Sequence, residues 1–392
     1  MASLENTASL GLAMIMKNEA LNLPKSLAPV AGLFDEIVAV DTGSSDQSRE
    51  TARALGARVL DFEWVHDFSA ARNFGLQAAT TDFIMWLDAD NSISPAGLSE
   101  LRSHLRKKAE IVILATEVVI PQGDRLWQKR VFPNHPEARF EGRVHEQLVH
   151  PAHWATVPAE AEILHWGYAD PAAARKKGER NLELLLNCGQ TSAGEFYCLY
   201  QTGRTLFNLR RYEEARLWLT RAVAAETDNR PLMGHAFILL SQTQGRLGLH
   251  DEAEKTIRRL VALAPGYGPG HYQLGRLLYD AGKHAEAGEY LETALILGPG
   301  DQIWGASQKM CGFRAAFLLG RIWAGQGRLQ PARQAFGLAR AIDPQNPEPD
   351  FALAEAALAE GDAAEARARL ERVLELAPGR RRAAELYRRL SQ

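Results

Sequence analysis

The chain has 392 residues, of which 46% are hydrophobic and 24% charged, so it is globular in composition and long enough for two or three domains. Its formal net charge of −3 excludes the basic surface on which general nucleic-acid binding depends. No stretch approaches the roughly 18 apolar residues of a membrane span, no signal peptide pattern is present, and three cysteines favour free thiols, so we expect a cytoplasmic protein.

In the first half of the chain, short apolar runs alternate with helical patterns. Strand patterns lie at 10–16, 36–40, 58–60 and 82–87, and helical patterns at 20–31, 47–55 and 69–79. This alternation predicts a doubly wound, mostly parallel sheet, which binds ligands at the carboxyl ends of its strands. Ser94 and Pro95 then have the pattern of an N-cap that opens a helix to about residue 108. Strand patterns follow at 110–120 and 126–132, short extended segments and loops at 139–167, and a helix at 171–187.

The second half of the chain is an internal repeat. Anchor residues recur at intervals of 38, 34, 45 and 34 residues, at Gly203, Ser241, Gly275, Gly320 and Ala354. The interval of 34 is the tetratricopeptide period, and the longer intervals indicate loop insertions. We therefore predict a domain boundary at about residue 190, with an all-α, superhelical domain of about five repeats over 191–392. The basic amphipathic segment 380–390 is predicted to cap its end.

Three carboxylates stand where the predicted sheet presents its ligands. Asp41 ends the strand pattern EIVAV, and Asp88 and Asp90 end the pattern FIMWL. Carboxylates at the mouth of a buried strand need a cation or hydrogen-bond donors, because their desolvation is otherwise costly. Hard oxygen ligands of this kind suit Mn²⁺ or Mg²⁺ beside a diphosphate.

The segment around His145, Glu146 and His150 is compatible with two interpretations. A zinc protease needs two histidines four residues apart on a helix, whereas these are five apart in an extended context and Pro151 follows, so that class is excluded. In a group-transfer enzyme, Glu146 is the candidate general base, with Glu141 as the alternative. A purely structural role for Glu146 stays open.

Five segments in order carry a family resemblance: MIMKNEA (14–20), VDTGSSDQS (40–48), FSAARNFGLQAATTDFIMWLDADN (68–91), RVFPNHPEARFEGRVHEQ (130–147) and ILHWGYADPAAARKKGERNLELL (163–185). Together they resemble bacterial family 2 glycosyltransferases of the GT-A fold, in the soluble, often tetratricopeptide-fused branch that includes bacteriocin peptide S-glycosyltransferases. Asn91 departs from this branch, which often has an acid there. The QxxRW signature of processive relatives is absent, which disfavours polymer synthesis.

The resemblance implies roles at individual positions. Asp41 is expected to bind the nucleotide base, Arg72 to lie near the base or the diphosphate, and Asp88 to contact the ribose. Asp90 is expected to ligate the divalent cation. The remaining implied residues of the nucleotide pocket are Lys17 and Asn18, for which a solvated loop is the alternative.

Two further features near the end of this half are open to interpretation. His165 is either a hydrogen-bonded core histidine or, by the resemblance, a metal ligand or diphosphate contact. For Lys176, Lys177 and Arg180 on the following helix, a solvated basic face is the favoured interpretation.

The sequence therefore predicts an inverting, metal-dependent glycosyltransferase that uses a nucleotide-diphosphate sugar, with a UDP-sugar favoured. The repeats are predicted to bind a protein or peptide acceptor, with homo-oligomerisation as the alternative role. A nucleotidyltransferase would need a glycine-rich loop after the first strand, where Lys17 and Asn18 stand instead. A catalytically weak scaffold is the other alternative, and the intact carboxylates argue against it.

Overall fold

The structure is a computed structural model that describes residues 8–120, 124–167, 170–187, 194–299 and 309–391. The chain divides into two compact units, one up to Thr227 and one from Asp228. The first unit contains the sheet and also the first helix pair of the predicted repeats. The domain boundary near residue 190 stays a prediction.

The first unit is built on ten strands and five helices that precede the repeats. The strands are β1 (Leu10–Met16), β2 (Glu36–Asp41), β3 (Arg58–Asp61), β4 (Phe83–Trp86), β5 (Asn91–Ile93), β6 (Ile111–Val119), β7 (Asp124–Pro133), β8 (Arg139–Glu141), β9 (Gln147–Val149) and β10 (Ala155–His165). The helices are α1 (Leu23–Leu27), α2 (Ser48–Ala54), α3 (Phe68–Ala78), α4 (Pro95–Ser103) and α5 (Pro171–Leu186).

Eight of these strands form one sheet in the order β3-β2-β1-β4-β7-β6-β10-β5, and β8 and β9 form a separate hairpin. The pairs β2–β3, β1–β2, β1–β4 and β6–β10 are parallel, whereas β7 and β5 run antiparallel to their neighbours. The mostly parallel sheet predicted from the alternating pattern is thus confirmed, and it is GT-A-like, as the family resemblance implied.

The central strand β1 is apolar along its whole length because both of its faces are covered. Leu12 and Met14 pack in the larger core together with Leu98 of α4. On the opposite face, Ala13 packs with Phe132 and Trp154. Helix α4 begins as predicted, since the side chain of Ser94 accepts a hydrogen bond from the Gly97 amide.

The structure differs from the prediction at three elements. The helical pattern at 20–31 forms only the five-residue α1 and a short 3-10 turn. β5 was not predicted, and part of the segment expected as short extended pieces forms the eleven-residue strand β10. In β10, Ala159, Ala161 and Ile163 face inward and alternate with exposed residues. Alanine and glutamate have little intrinsic strand preference, so pairing with β6 and β5 decides the conformation here.

The predicted repeats are antiparallel helix pairs. The first unit holds α6 (Gly194–Asn208) and α7 (Tyr212–Ala222). The second unit holds α8 (Arg230–Arg246), α9 (His250–Leu263), α10 (Gly268–Asp280), α11 (His284–Leu297), α12 (Ala315–Gly325), α13 (Leu329–Ile342), α14 (Pro347–Glu360), α15 (Ala363–Leu376) and α16 (Arg381–Leu390). The insertion predicted by the 45-residue interval includes 300–308, which lie outside the described residues. No helix within the described ranges has the length and apolarity that crossing a bilayer requires.

The anchor glycines explain how the helices of a pair approach each other. A Cβ on Gly275 would lie 2.8 Å from Leu291, and one on Gly320 would lie 2.6 Å from Phe336. Leu291 and Phe336 thus each lie against the anchor glycine of their own helix pair. Phe336 also packs with Leu353 of α14. As predicted, α16 covers the end, packing Ala383, Leu386 and Tyr387 on α14 and α15.

Candidate active site

The turn after β4 brings Asp88 and Asp90 to the carboxyl edge of the sheet. The Asn91 amide donates to the carbonyl of Asp88 (2.9 Å), and the Asn91 Oδ1 accepts from the Asp88 amide (3.2 Å). The same Oδ1 accepts from Nη1 of Arg130 at 3.2 Å. Asn91 is fully buried, so the residue that departs from the family pattern closes the turn and faces an arginine.

Arg72 lies at the centre of the site, on α3. Its Nη2 donates to Oδ1 of Asp88 at 2.7 Å, and its Nε donates to Oε1 of Glu146 at 2.5 Å. Burial disfavours the charged guanidinium, but the two carboxylates outweigh burial and raise its pKa. Burial likewise opposes ionisation of Asp88, yet Arg72 and then Arg130 hold the pKa of Asp88 below its ordinary value. Arg72 is therefore an internal bridge between two carboxylates rather than a surface ion pair.

The indole of Trp86 contacts two buried arginines. The guanidinium of Arg72 lies 4.4 Å from the ring centroid, and that of Arg130 lies 3.9 Å from it. Lys129 pairs with Leu114 and Val131 with Ile113, so Arg130 is the extra residue of a β-bulge. The contacts with Trp86 hold the two guanidinium groups by cation–π attraction, in addition to their ion pairs with carboxylates.

Arg130 and Glu117 form a buried ion pair that the sequence analysis missed. Nη2 of Arg130 lies 2.8 Å from Oε2 of Glu117, and Arg130 is 1% exposed. The available signal was a charged residue in each of two strand patterns, ILATEVV and LWQKRVF. A charged side chain in a buried strand needs a partner of opposite charge. This requirement could have indicated from the sequence that Arg130 and Glu117 belong to a candidate site.

Asp90 is buried and lies next to two basic side chains. Nζ of Lys177 is 2.7 Å from Oδ2 of Asp90, and Nε2 of His165 is 3.7 Å from the same oxygen. Our interpretation of Lys177 as part of a solvated face is therefore wrong, although Lys176 is exposed. Gly167 permits the approach, since a Cβ there would lie 1.9 Å from Oδ2 of Asp90.

His165 is oriented by Glu117, whose Oε1 lies 2.5 Å from Nδ1 of the ring. Burial alone would lower the pKa of His165, but Glu117 and then Asp90 outweigh burial and raise it. The contact with Glu117 directs Nε2 toward Asp90. An imidazole held by a carboxylate in this manner is the usual outer-shell arrangement of a metal-binding histidine.

The donor set of Asp90 and His165 fits a divalent cation such as Mn²⁺ or Mg²⁺. Within the described ranges, no group of three or more His, Cys, Asp and Glu residues could hold a metal. These two side chains therefore need further ligand oxygens, which a bound diphosphate would supply. In the structure, the ammonium group of Lys177 lies next to Oδ2 of Asp90, the oxygen that such a cation would use.

Asp41, at the end of β2, is buried and organises the loop that follows. Arg49 approaches its Oδ2 to 2.6 Å, and the amides of Ser44 and Gly43 donate to that oxygen at 3.1 and 3.2 Å. Burial raises the pKa of Asp41, but the hydrogen bonds from Ser44 and then Arg49 outweigh burial and lower it. Its role toward a nucleotide base stays a prediction.

The end of β1 contacts the same loop through Asn18. The Asn18 amide donates to Oγ of Ser44 at 2.9 Å, and its Oδ1 accepts from the Ser45 amide at 2.8 Å. Asn18 has a φ of 57°, in the left-handed region that asparagine tolerates. Lys17 is exposed beside it. Both residues lie at the edge where a nucleotide pocket was predicted, and their roles stay predictions.

The two candidate bases lie on one hairpin. Glu141 ends β8 opposite Gln147 of β9, and Glu146 immediately precedes β9. The side chain of Glu141 pairs with Arg139 at 2.5 Å, whereas Glu146 is largely buried and reaches Arg72. The fold thus brings Glu146, Arg72 and Asp88 together. The choice between the two bases stays a prediction.

Comparison with known proteins defines the class of both parts of the chain. Residues 12–157 match the family described as glycosyl transferase family 2. Tetratricopeptide repeat families match 200–268, 238–302 and 324–390. The chain therefore carries a family 2 glycosyltransferase domain followed by tetratricopeptide repeats.

Individual relatives agree with this class. A TPR repeat-containing protein of Synechococcus elongatus is 32% identical over 55% of this chain and 57% of its own length. The SPbeta prophage-derived glycosyltransferase SunS of Bacillus subtilis is 26% identical over 56% of this chain and 54% of its own. The chain thus spans little more than half the length of these curated relatives. An uncharacterized glycosyltransferase of Rickettsia felis is 31% identical over 21% of this chain and 28% of its own.

Proposed function

We propose that the chain is an inverting, metal-dependent glycosyltransferase that moves a sugar from a nucleotide-diphosphate sugar to a protein or peptide. The observation that carries this proposal is the bridge from Asp88 through Arg72 to Glu146, because it joins a donor-side carboxylate to the candidate base. A UDP-sugar is the favoured donor. The acceptor atom is a hydroxyl oxygen, a thiol sulfur or an amide nitrogen.

On the donor side, each residue has a distinct proposed task. Asp41 fixes the loop after β2 and uses a remaining lone pair to bind the nucleotide base, while Asp88 contacts the ribose. Asp90 and His165 would hold the cation, and the donor diphosphate would supply further ligand oxygens. That cation would act as a Lewis acid for the departing diphosphate. Lys177, which pairs with Asp90 in the structure, would then pair with a phosphate oxygen of the donor instead.

On the acceptor side, Glu146 is the proposed general base. The acceptor heteroatom attacks the anomeric carbon, Glu146 takes its proton, and the bond from that carbon to the diphosphate oxygen breaks. The nucleoside diphosphate leaves with the electron pair on the opposite face, so the configuration inverts. Arg72 occupies Oε1 of Glu146, which assigns the proton to Oε2.

We assign acceptor selection to the tetratricopeptide repeats, because stacked helix pairs offer an extended polypeptide-binding surface. Self-association of the repeats is the alternative. A nucleotide-sugar-binding scaffold with little catalysis is the alternative for the whole chain. We further propose that the protein acts in the cytoplasm, in keeping with Cys198 and Cys311 being thiols.

The test of the proposed function is release of nucleoside diphosphate by the full chain from a panel of nucleotide sugars, with and without Mn²⁺. We expect one donor to be turned over, only with the metal, and a peptide library to become labelled. Alanine at Arg276 and Arg321, on the first helices of two pairs, should raise the acceptor KM and leave donor hydrolysis unchanged. Nucleotide binding without turnover of any donor would instead favour the scaffold.

A further inference from the structure

Glu146, the candidate base, lies on a short loop whose conformation depends on contacts with neighbouring elements. Residues 142–146 connect β8 to β9, and each of these strands has only three residues. Two loop residues have left-handed backbone, Gly142 at a φ of 103° and His145 at 55°. Left-handed backbone at a histidine costs free energy, so neighbouring elements must stabilise it.

Two of these neighbours belong to the sheet-bearing part of the unit. From α3, Oγ of Ser69 donates to the carbonyl of Gly142 at 2.6 Å, and the Phe68 amide donates to the carbonyl of Arg143 at 2.9 Å. Val144 is buried against Leu184 and Leu185 at the end of α5. These contacts hold the first three loop residues, and Arg72 of α3 holds the side chain of Glu146. The backbone on either side of Glu146 contacts another element.

That element is α6, the first helix of the repeats. The hydroxyl of Tyr197 donates to the carbonyl of His145 at 2.9 Å and accepts from Nε2 of Gln147 at 2.9 Å. A phenolic hydroxyl can both donate and accept hydrogen bonds, and this one does both. Tyr197 thus holds the residue before Glu146 and the residue after it.

The helix belongs to the repeats by its packing as well as by its sequence. Gly203 of α6 faces Leu219 of α7, and a Cβ on Gly203 would lie 2.6 Å from that side chain. This is the glycine-to-large-residue contact of the later pairs, at the matching repeat position. Tyr197 therefore projects from the first repeat toward the loop of residues 142–146, which carries Glu146.

We propose, building on the function proposed above, that the first tetratricopeptide helix is part of the catalytic apparatus and that Tyr197 is a positioning residue for Glu146. In this arrangement the repeats do more than bind the acceptor. A shift of α6 is transmitted through one hydroxyl to the candidate base, while the donor-side residues Asp90 and His165 are unaffected.

The test uses Tyr197→Phe in the full chain, with Tyr212→Phe as the matched control. Tyr212 lies in the same repeat, at the start of α7, where its ring contacts Phe207. For Tyr197→Phe, we expect the kcat of donor hydrolysis to fall about 10- to 100-fold, because misplacement of a catalytic group by about 1 Å has an effect of that order. The dissociation constant for UDP with Mn²⁺ should stay within about twofold of wild type.

Amide hydrogen exchange provides a readout that does not depend on turnover. Exchange at 143–147 should become at least about tenfold faster in Tyr197→Phe and stay unchanged in Tyr212→Phe, since only the first variant frees the loop. Gln147→Leu removes one of the two contacts that Tyr197 makes with this segment, so it should lower kcat by less than Tyr197→Phe. The double variant should lose little more than Tyr197→Phe alone, because the contact between the two side chains is already absent in that variant.

Two results would overturn the proposal. The first is a kcat within about twofold of wild type with unchanged exchange at 143–147 in Tyr197→Phe. The second is a UDP affinity that weakens in step with kcat, which would place Tyr197 on the donor side. A chain that turns over no donor refutes the proposed function, whereas loop exchange still shows whether Tyr197 holds the loop.

Discussion

Arg72 and Glu146 form an ion pair of 2.5 Å between Nε and Oε1, although 74 positions separate them in the chain. The pair is largely buried, and the other side of the guanidinium holds Asp88. This contact fixes one oxygen of the carboxylate, and Oε2 is the oxygen to which we assign the proposed proton transfer. Its orientation relative to Asp88 is thereby set before any substrate binds.

Replacing Glu146 by glutamine removes the basicity of the side chain and keeps its shape. We expect Glu146→Gln to lower the turnover of the preferred donor by about 10²–10⁴-fold, the usual contribution of a general base. UDP binding, measured by calorimetry, should barely change. Glu141→Gln on the same hairpin is the control and should retain activity. If the effects of the two variants are reversed, Glu141 is the base.

Asp90→Ala should abolish turnover and leave the fold intact, because it removes one of the two side chains that would hold the cation. The affinity for UDP with Mn²⁺ should fall to the value measured in the presence of a chelator. Asp251→Ala, at the exposed start of α9, is the control. Turnover of Asp90→Ala within about tenfold of wild type would refute its role as a metal ligand.

Lys177 and Lys176 allow a matched comparison on α5, since only Lys177 contacts Asp90. We expect Lys177→Met to weaken UDP binding about tenfold with or without Mn²⁺, which corresponds to roughly one charge-assisted hydrogen bond. Lys176→Met should bind UDP as wild type does. If Lys177→Met instead tightens Mn²⁺ binding and leaves the affinity for UDP unchanged, the lysine only competes with the cation.

His145 should make the protein less stable in mild acid. Burial, followed by the positive charge of Arg204, lowers the pKa of His145 from 6.5 to about 3. Between these values the unfolded chain binds a proton that the folded chain does not. The free energy of unfolding therefore falls as the pH falls through this window, by up to about 1.4 kcal/mol per pH unit.

The measurement for His145 is the melting temperature between pH 7 and pH 4.5. His145→Asn keeps a residue that tolerates the left-handed backbone and removes the titrating ring, so its melting temperature should fall less steeply. His153→Asn, at an exposed position, should follow the wild type. Equal slopes for wild type and His145→Asn would contradict the assignment of a buried, neutral His145.

Alanine substitution at two glycines of the second unit should change the stability of the fold in opposite directions. Gly320→Ala places a Cβ 2.6 Å from the ring of Phe336, whereas the surroundings of Gly337 contain no atom within 4 Å of the added carbon. We expect Gly320→Ala to destabilise the fold by about 1–3 kcal/mol through overpacking. Gly337→Ala should stabilise α13 by about 0.5–1 kcal/mol. Urea unfolding of both variants checks the pair, and the same sign for both would contradict the packing described.

Local spacing in the sequence was sufficient to predict most elements of both halves. The strand β1 was predicted with its observed limits, and the 34-residue interval predicted the helix pairs. The basic amphipathic pattern of the last segment predicted the covering helix α16. The carboxylates after β2 and β4 were likewise evident, because each ends an apolar run. These features depend on neighbours a few residues apart, which periodicity records directly.

Only the tertiary structure decided which charges meet. Lys177 reaches Asp90 across 87 positions, and the bulge in β7 aims Arg130 at Trp86 and Glu117. No local pattern records these pairings, because they follow from strand order, register and the direction in which α5 and α6 return to the sheet. The contact of Tyr197 with the Glu146 loop is of the same kind. Sequence spacing determines which elements form, and the packing of those elements determines the partner of each buried charge.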